Sequence, residues 1–439
     1  MLNSCTIHNR LILSTQTWKS ILLGTLMISV LAACSSPKRM IGKYLKTNLS
    51  NPFYENQFTG ILFIDATTKD TIYDLNSSKY FTPASNTKIV TLYTALQSLP
   101  EQIPALRYIT RNDTLFFEGT GDPSLMHPYF QDTTAVQFLR KYPNLVYASN
   151  NFLDSKYGSG WAWEDFLYYY SPERNALPVH GNVILSYKNP DLQVYPSYFK
   201  DSVLEMSNEE NRSRNKNLFF YPPQRRDTLE IPFIVNTRTT LGILEKELQK
   251  SIAMVDHMPS GEKQTLYGIK SDSLYTRMMH ESDNFIAEQL LILSASTLAD
   301  SLDGQIARTH ILEDQLSNLK QQPRWVDGSG LSRYNLFTPQ NMVAVLDKLY
   351  RDISRERLFS IFPAGGMSGT LENRFKGEGE PYLYAKSGSL SNNYCLSGYL
   401  VTHSGKTLIF SFMNNHFKNA TSDERLYMER IFKFLRDTY

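Results

Sequence analysis

Two apolar-rich runs in "GILFIDATTKDTIYDLN" (60–76) flank the polar residues 67–70 and predict two strands around a turn. The period then changes. Ile89, Leu92, Tyr93 and Leu96 recur at helical spacing with Val90 and Ala95 beside them, which predicts a mostly buried helix. Its first turn holds Ser85, at a position serine favours as an N-cap. From 98 to 265 the chain shows short strand-like runs, many prolines and tyrosines, and polar stretches such as "SNEENRSRNKN", the pattern of an inserted, mainly β region. Helical spacing returns in "DSLYTRMMHESDNFIAEQLLILSAS", where Ile286, Leu290 and Leu293 share a face. Another helix is expected after Pro339 and a last one from about Asp423. Between them "YLYAKSGSL", "YCLSGYLVT" and "TLIFSFM" predict three antiparallel strands with turns at 391–393 and 404–405. Strands, helix, insertion, helices, strands, helix is the order of an α/β sandwich whose sheet unites both ends of the chain. There are no internal repeats.

The amino-terminal end is unlike the rest. Arg10 and Lys19, with no acidic residue, precede a weakly polar run from Ile21 to Ala33, too short to span a bilayer comfortably and suited to the core of a secretion signal. It ends in Leu31-Ala32-Ala33-Cys34, which resembles the lipobox of bacterial lipoproteins. That resemblance implies cleavage before Cys34, lipid on its sulfur and new amine, and a periplasmic protein anchored to the inner or outer membrane. A leader retained as an uncleaved anchor is the alternative, and either exports the bulk. The layout expected is a signal peptide over 1–33, a polar, basic tether over 34–50, a catalytic domain from 51–97 and 266–439, and inserted material over 98–265.

Losing Arg10 and Lys19 brings the 45 basic residues level with the 43 acidic ones. No cationic excess remains for a phosphate backbone, which argues against a nucleic-acid partner. Of the three cysteines, Cys5 lies in the leader and Cys34 is committed, so Cys395 is left alone and no internal disulfide is expected. Gly405-Lys406-Thr407 lacks the first glycine of a phosphate loop, and His280-Glu281 lacks the second histidine of a zinc-protease helix, where Asn284 stands. No metal or other cofactor is expected.

The candidate chemistry begins at Ser85 and Lys88. Ser-x-x-Lys also starts at Ser35, Ser197, Ser213, Ser260 and Ser317, so the pair alone says little, and an N-cap with a solvated lysine would explain it. Two partners change that reading: Ser282-Asp283-Asn284 between helical stretches, and Lys386-Ser387-Gly388 on a strand. Serine is a weak nucleophile until a base takes its proton, and a lysine one helical turn on can do so when neutral. That requires its pKa to fall from about 10.4 to near 7–8, as burial beside a second cation, Lys386, would arrange. Ser282 can relay a proton to the leaving amine and Asn284 can hold a substrate amide. Lys386 and Ser387 offer charge and a hydroxyl to a carboxylate, and Gly388 leaves room for a peptide.

In order and context the three elements resemble the motifs of penicillin-binding proteins and serine β-lactamases. "GTGDPSL" (119–125), "GSGWAWEDF" (158–166), "SDNFIAEQLL" (282–291), "DGSGLSRYNLFTP" (327–339) and "AKSGSLSNNYCLSGY" (385–399) resemble the class C penicillin-binding proteins, the D-alanyl-D-alanine carboxypeptidase/endopeptidases. The resemblance runs from about Gly60 to the C-terminus. It implies acylation of Ser85 by peptidoglycan stem peptides, hydrolysis by water, covalent capture by β-lactams, and an oxyanion hole from the backbone N–H groups of Ser85 and Ser389. It further implies that Asp165, Tyr170 and Arg333 grip the diaminopimelate side chain. Packing of Trp161, Trp163 and Tyr168 to Tyr170 in the core, with Asp165 and Arg333 in unrelated salt bridges, is the alternative. Two departures stand out. Ser387 replaces the usual threonine with the hydroxyl kept, and the interval from Ser85 to Ser282 is short, which implies a reduced insertion. Ser391 also sits where some relatives offer a larger polar side chain. Asp327-Gly328-Ser329-Gly330 reads as a structural turn, with Ser329 not the nucleophile. A β-lactamase or a receptor acylated without turnover remains open, although the Glu-x-x-Leu-Asn deacylation motif of class A β-lactamases is absent.

Overall fold

A computed structural model describes residues 37–439, so Cys34 and the leader lie outside the described residues. The central element is a five-stranded antiparallel sheet in the order Leu383–Leu390, Asn393–Val401, Thr407–Asn415, Phe58–Asp65, Thr71–Leu75. It therefore joins the start and end of the chain, as the strand pattern predicts. Its strands are apolar on both faces because both are covered. Ile61, Phe63, Leu396, Phe410 and Phe412 point into one core, whereas Leu62, Cys395, Tyr399, Ile409 and Met413 point into the other. The first core is closed by the terminal helix Thr421–Thr438. The second is closed by Thr87–Ser98, Asn284–Leu298 and Pro339–Asp352. This is an α/β sandwich. Gly304–Glu313 and Arg355–Ile361 are helices that the sequence pattern did not predict.

The stretch expected to be a tether is corrected from Pro37 onward. Pro37–Leu49 is a helix whose Ile41 and Leu45 are fully buried and whose Tyr44 stacks on Phe434 at 3.7 Å. Ile41, Tyr44 and Leu45 form a narrow apolar stripe that the surrounding lysines mask in composition, and fully burying one such aliphatic side chain contributes about 1.5–3 kcal/mol. Among the described residues no helix is long and apolar enough to cross a membrane.

Residues between 106 and 252 build their own core around Phe117, Phe199, Phe219, Tyr221 and Phe233. Their framework is a five-stranded sheet ordered Ile252–Val255, Asn144–Ala148, Thr114–Gly119, Gln102–Arg111, Gln264–Lys270, with a three-stranded sheet and a two-stranded one beside it. Two helices, Thr134–Arg140 and Thr237–Leu248, pack into this mainly β region. The segment 119–125 pins it to the rest. Gln289 Nε2, from the Asn284–Leu298 helix, donates to the Gly121 carbonyl at 2.9 Å, and Gly121 N donates to the Ala176 carbonyl at 2.7 Å.

Candidate active site

Ala84–Asn86 forms one tight 3-10 turn that runs into the Thr87–Ser98 helix, with Ala84 in the left-handed region at φ +48°. Ser85 is not the helix cap. The helix begins at Thr87, and the preceding Asn86 spends its side chain elsewhere: Nδ2 donates to the Lys386 carbonyl at 2.8 Å and Oδ1 accepts from Ser397 Oγ at 2.6 Å. Those two bonds sew the serine turn to the strand carrying the third motif. The Ser85 hydroxyl is left free for other work.

Lys88 is not a solvated lysine either, being fully buried. Its Nζ lies 3.0 Å from Ser85 Oγ, 2.7 Å from Asn284 Oδ1 and 2.7 Å from the Ser329 carbonyl oxygen. The Asn284 amide is oriented by its Nδ2, which donates to the Tyr170 carbonyl at 3.0 Å. A charged Lys88 donates to all three oxygens. A neutral one has two N–H bonds and a lone pair, and of the three neighbours only the Ser85 hydroxyl carries a proton to give. The geometry thus aims the lone pair of a neutral Lys88 at the serine.

Burial pushes Lys88 down to about 8, against the carboxylates of Glu288, Asp327 and Asp283, which hold it up. Lys386, also fully buried, is pushed well below the ordinary lysine value by burial and then by the Lys88 charge. Lys386 Nζ donates to Ser282 Oγ at 2.9 Å and to the Ser387 carbonyl at 2.7 Å. Ser282 adopts φ +56° in the break between the Ser271–His280 and Asn284–Leu298 helices, which Asp283 reopens as N-cap by accepting from Ile286 N at 3.0 Å.

The strand of the third motif lies against the serine turn at Gly388. A Cβ there would sit 2.7 Å from the Pro83 carbonyl oxygen and 2.8 Å from Ser85 N, so only glycine permits the approach. Ser389 follows, exposed, on the same strand. Ser387 Oγ donates to Thr370 Oγ1 at 2.9 Å, a partner that sequence reasoning missed.

The family model described as the D-Ala-D-Ala carboxypeptidase 3 (S13) family matches residues 42–204 and 240–436. The chain belongs to that family. It is 24% identical to the D-alanyl-D-alanine carboxypeptidase DacB of Haemophilus influenzae, over 90% of this chain and 92% of the relative. Identity to the D-alanyl-D-alanine carboxypeptidase of an Actinomadura species is also 24%, over 84% and 79% of the two chains. The fold is similar to the crystal structure of penicillin-binding protein 4 (dacB) from Haemophilus influenzae, with a TM-score of 0.69 at 20% identity, covering 90% of this chain and 97% of that one.

In this S13 chain two cavities meet at Tyr170 and Asn284. One, of about 450 Å³, is lined by Ser85, Ser282, Asn284, Tyr169 and Tyr170. The other, of about 460 Å³, brings together Asp165, Tyr170, Arg333, Asn284, Ser389 and Ser391. The three side chains tied to diaminopimelate by resemblance thus share one cavity. Tyr170 Oη donates to Asp165 Oδ1 at 3.0 Å, and Arg333 Nη1 donates to Asn392 Oδ1 at 3.1 Å. Burial and then the Asp165 charge push the Tyr170 phenol up. Trp163, Tyr168 and Tyr169 are exposed rather than core residues.

Behind Lys88 lies a buried network that the motifs do not announce. Glu288 Oε1 accepts from Ser329 N at 2.7 Å, which holds the carbonyl that receives Lys88, and Glu288 Oε2 pairs with Arg174 at 3.3 Å. Glu288 stands one helical turn after Asn284, the one signal in the sequence that could have found it. Asp327 accepts from Gly330 N, Ser332 N, Asn335 Nδ2 and Trp161 Nε1, all within 2.8 Å, so its turn is structural as expected. Ser329 is fully buried. Among the described residues no cluster of three ligand-type side chains is placed to hold a metal ion.

Proposed function

We propose that this S13 protein is a serine D-Ala-D-Ala carboxypeptidase and/or D,D-endopeptidase acting on peptidoglycan stem peptides through an acyl-enzyme on Ser85. The observation that carries the reading is the Lys88 amine, 3.0 Å from Ser85 Oγ and otherwise surrounded by acceptors that have no proton to give. Neutral Lys88 takes the hydroxyl proton as Ser85 Oγ bonds to the carbonyl carbon of the penultimate D-alanine. The backbone N–H groups of Ser85 and Ser389 stabilise the oxyanion. Collapse breaks the peptide bond, and the proton reaches the leaving amine through Ser282. Water then hydrolyses the ester, and Lys88 is neutral again. Ser387 and Lys386 receive the terminal carboxylate, whose negative charge beside Lys386 favours the protonated amine. β-Lactams acylate the same serine. When the leaving amine belongs to a second stem peptide, the same steps cut a cross-link.

Asp165, Tyr170 and Arg333 form the pocket for the diaminopimelate side chain in this reading. That side chain ends in an amine and a carboxylate on one carbon, and an anion and a cation lining one cavity match both ends. The expected preference is about 1–3 kcal/mol over a lysine-type peptide. D-alanine release from both pentapeptides tests activity and preference together. Asp165→Ala should bring the diaminopimelate peptide down to the lysine rate; equal wild-type rates would end the pocket assignment, and no release from either would end the activity.

Anchoring through lipid on Cys34 on the periplasmic side of a membrane completes the proposal, supported by Leu31 to Cys34 after the apolar run. Cys34→Ser should leave an unlipidated precursor that differs in size from the mature protein. An unchanged size would contradict it.

A further inference from the structure

Trp163 is the most exposed large hydrophobic side chain of the described residues, at 73%, and it is not isolated. It lines a cavity of about 330 Å³ with Tyr157, Trp161, Phe166 and Ile234. Trp161 is held by its bond to Asp327, and Tyr157 and Phe166 lie edge-on or tilted against the two indoles at centroid distances of 6.1 and 6.0 Å. Aromatic walls of this kind offer flat apolar faces. Polar residues line it as well: Arg212, Ser171, Glu173, whose carboxylate accepts from Tyr157 and Val235, and Arg214, which is paired with Glu210. Ser171 is 1% exposed and its Oγ has no hydrogen-bond partner, an orphan in a wall of this cavity. An apolar cavity with a few convergent polar groups is the ordinary form of a small-molecule site.

What occupies it follows from where it lies. The segment 158–166 separates this cavity from the one containing Asp165, Tyr170 and Arg333, and Ala162 lines both. Resting on the activity proposed above, a stem peptide with its C-terminal end on Ser85 and its third residue beside Asp165 must run its N-terminal end away from the serine. That end carries the amino sugar of the glycan strand. Two extended residues cover about 7 Å, and Ala162, common to both cavities, lies on the rim between them. A pyranose ring has an apolar face to lay on an indole and hydroxyl and acetamido groups for Arg214 at the edge of the cavity. We propose that the Trp161–Trp163 cavity is a saccharide subsite that binds the amino-sugar end of the substrate.

The test uses the full-length protein with Ser85→Ala to prevent turnover, and calorimetric titration with a diaminopimelate pentapeptide and with the same peptide bearing N-acetylmuramic acid. The sugar should tighten binding about tenfold. Adding Trp163→Ala should remove that gain and leave the free pentapeptide's affinity unchanged, and Trp163→Phe should restore most of it. In the Ser85-bearing enzyme, Trp163→Ala should not alter D-alanine release from the free pentapeptide. Equal affinity for the two ligands, or a gain that survives Trp163→Ala, overturns the saccharide subsite while leaving the activity standing. Failure of both ligands to bind, with no D-alanine released by the Ser85-bearing enzyme, overturns the activity and the subsite with it.

Discussion

Lys88→Arg will slow acylation of Ser85 by roughly 10²–10⁴-fold, the usual worth of a positioned base, while the protein still folds. Arginine keeps the positive charge but cannot give up its proton, so no lone pair reaches the serine. The pH profile provides a second signature. Burial lowers Lys88 to about 8, so wild-type acylation should rise as pH rises through about 8, where the amine becomes neutral. In Lys88→Arg that rise should vanish. Stability should move the same way. The unfolded chain holds the Lys88 proton up to the ordinary lysine range, so between about 8 and 10.5 it binds more protons than the folded one and stability increases with pH. Near-normal acylation by Lys88→Arg, measured with a chromogenic β-lactam, would refute the role of the base.

Gly330→Ala will destabilise the protein by about 3 kcal/mol, combining a left-handed backbone with an overpacked contact. Gly330 sits at φ +81°, and a Cβ on it would stand 1.9 Å from the Ala84 carbonyl oxygen and 2.5 Å from its carbon. Backbone atoms cannot swing aside as a side-chain tip would. Ala84, itself at φ +48°, immediately precedes Ser85, so any relief must displace the nucleophile, and acylation should fall along with stability. Gly405→Ala is the control, with φ +83° but nothing within 4 Å of the added Cβ. It should lose only about 1 kcal/mol, the backbone part alone. Equal losses for the two variants in denaturant titrations would show that the contact at Ala84 does not matter.

What could be read from the sequence depended on how each element acts. The central sheet was legible because its apolar strands and their turns are local patterns, and the three motifs because their chemistry requires particular side chains in a particular order. The helix at 37–49 was not. Its stripe is only Ile41, Tyr44 and Leu45 among lysines, and it becomes a helix because Phe434, nearly 400 residues away, packs on it. Ser85 as an N-cap was a sound local preference overridden by tertiary bonds from Asn86 to Lys386 and Ser397. The third acceptor on Lys88 is a backbone carbonyl, that of Ser329, and any residue type supplies one, so no sequence signal could mark it. Glu288 and Arg174 stand 114 positions apart and meet only through the fold. Asp165, Tyr170 and Arg333 do share a cavity, but resemblance rather than spacing suggested it.

The central claim is that Ser85 is the residue that becomes acylated. Labelling the protein with a penicillin, digesting it and mapping the modified peptide by mass spectrometry tests this directly. The label should fall on Ser85, within the peptide containing "TPASNTK", and Ser85→Ala should take up none. A label on Ser282, Ser329 or Ser387, or undiminished labelling of Ser85→Ala, would contradict the account.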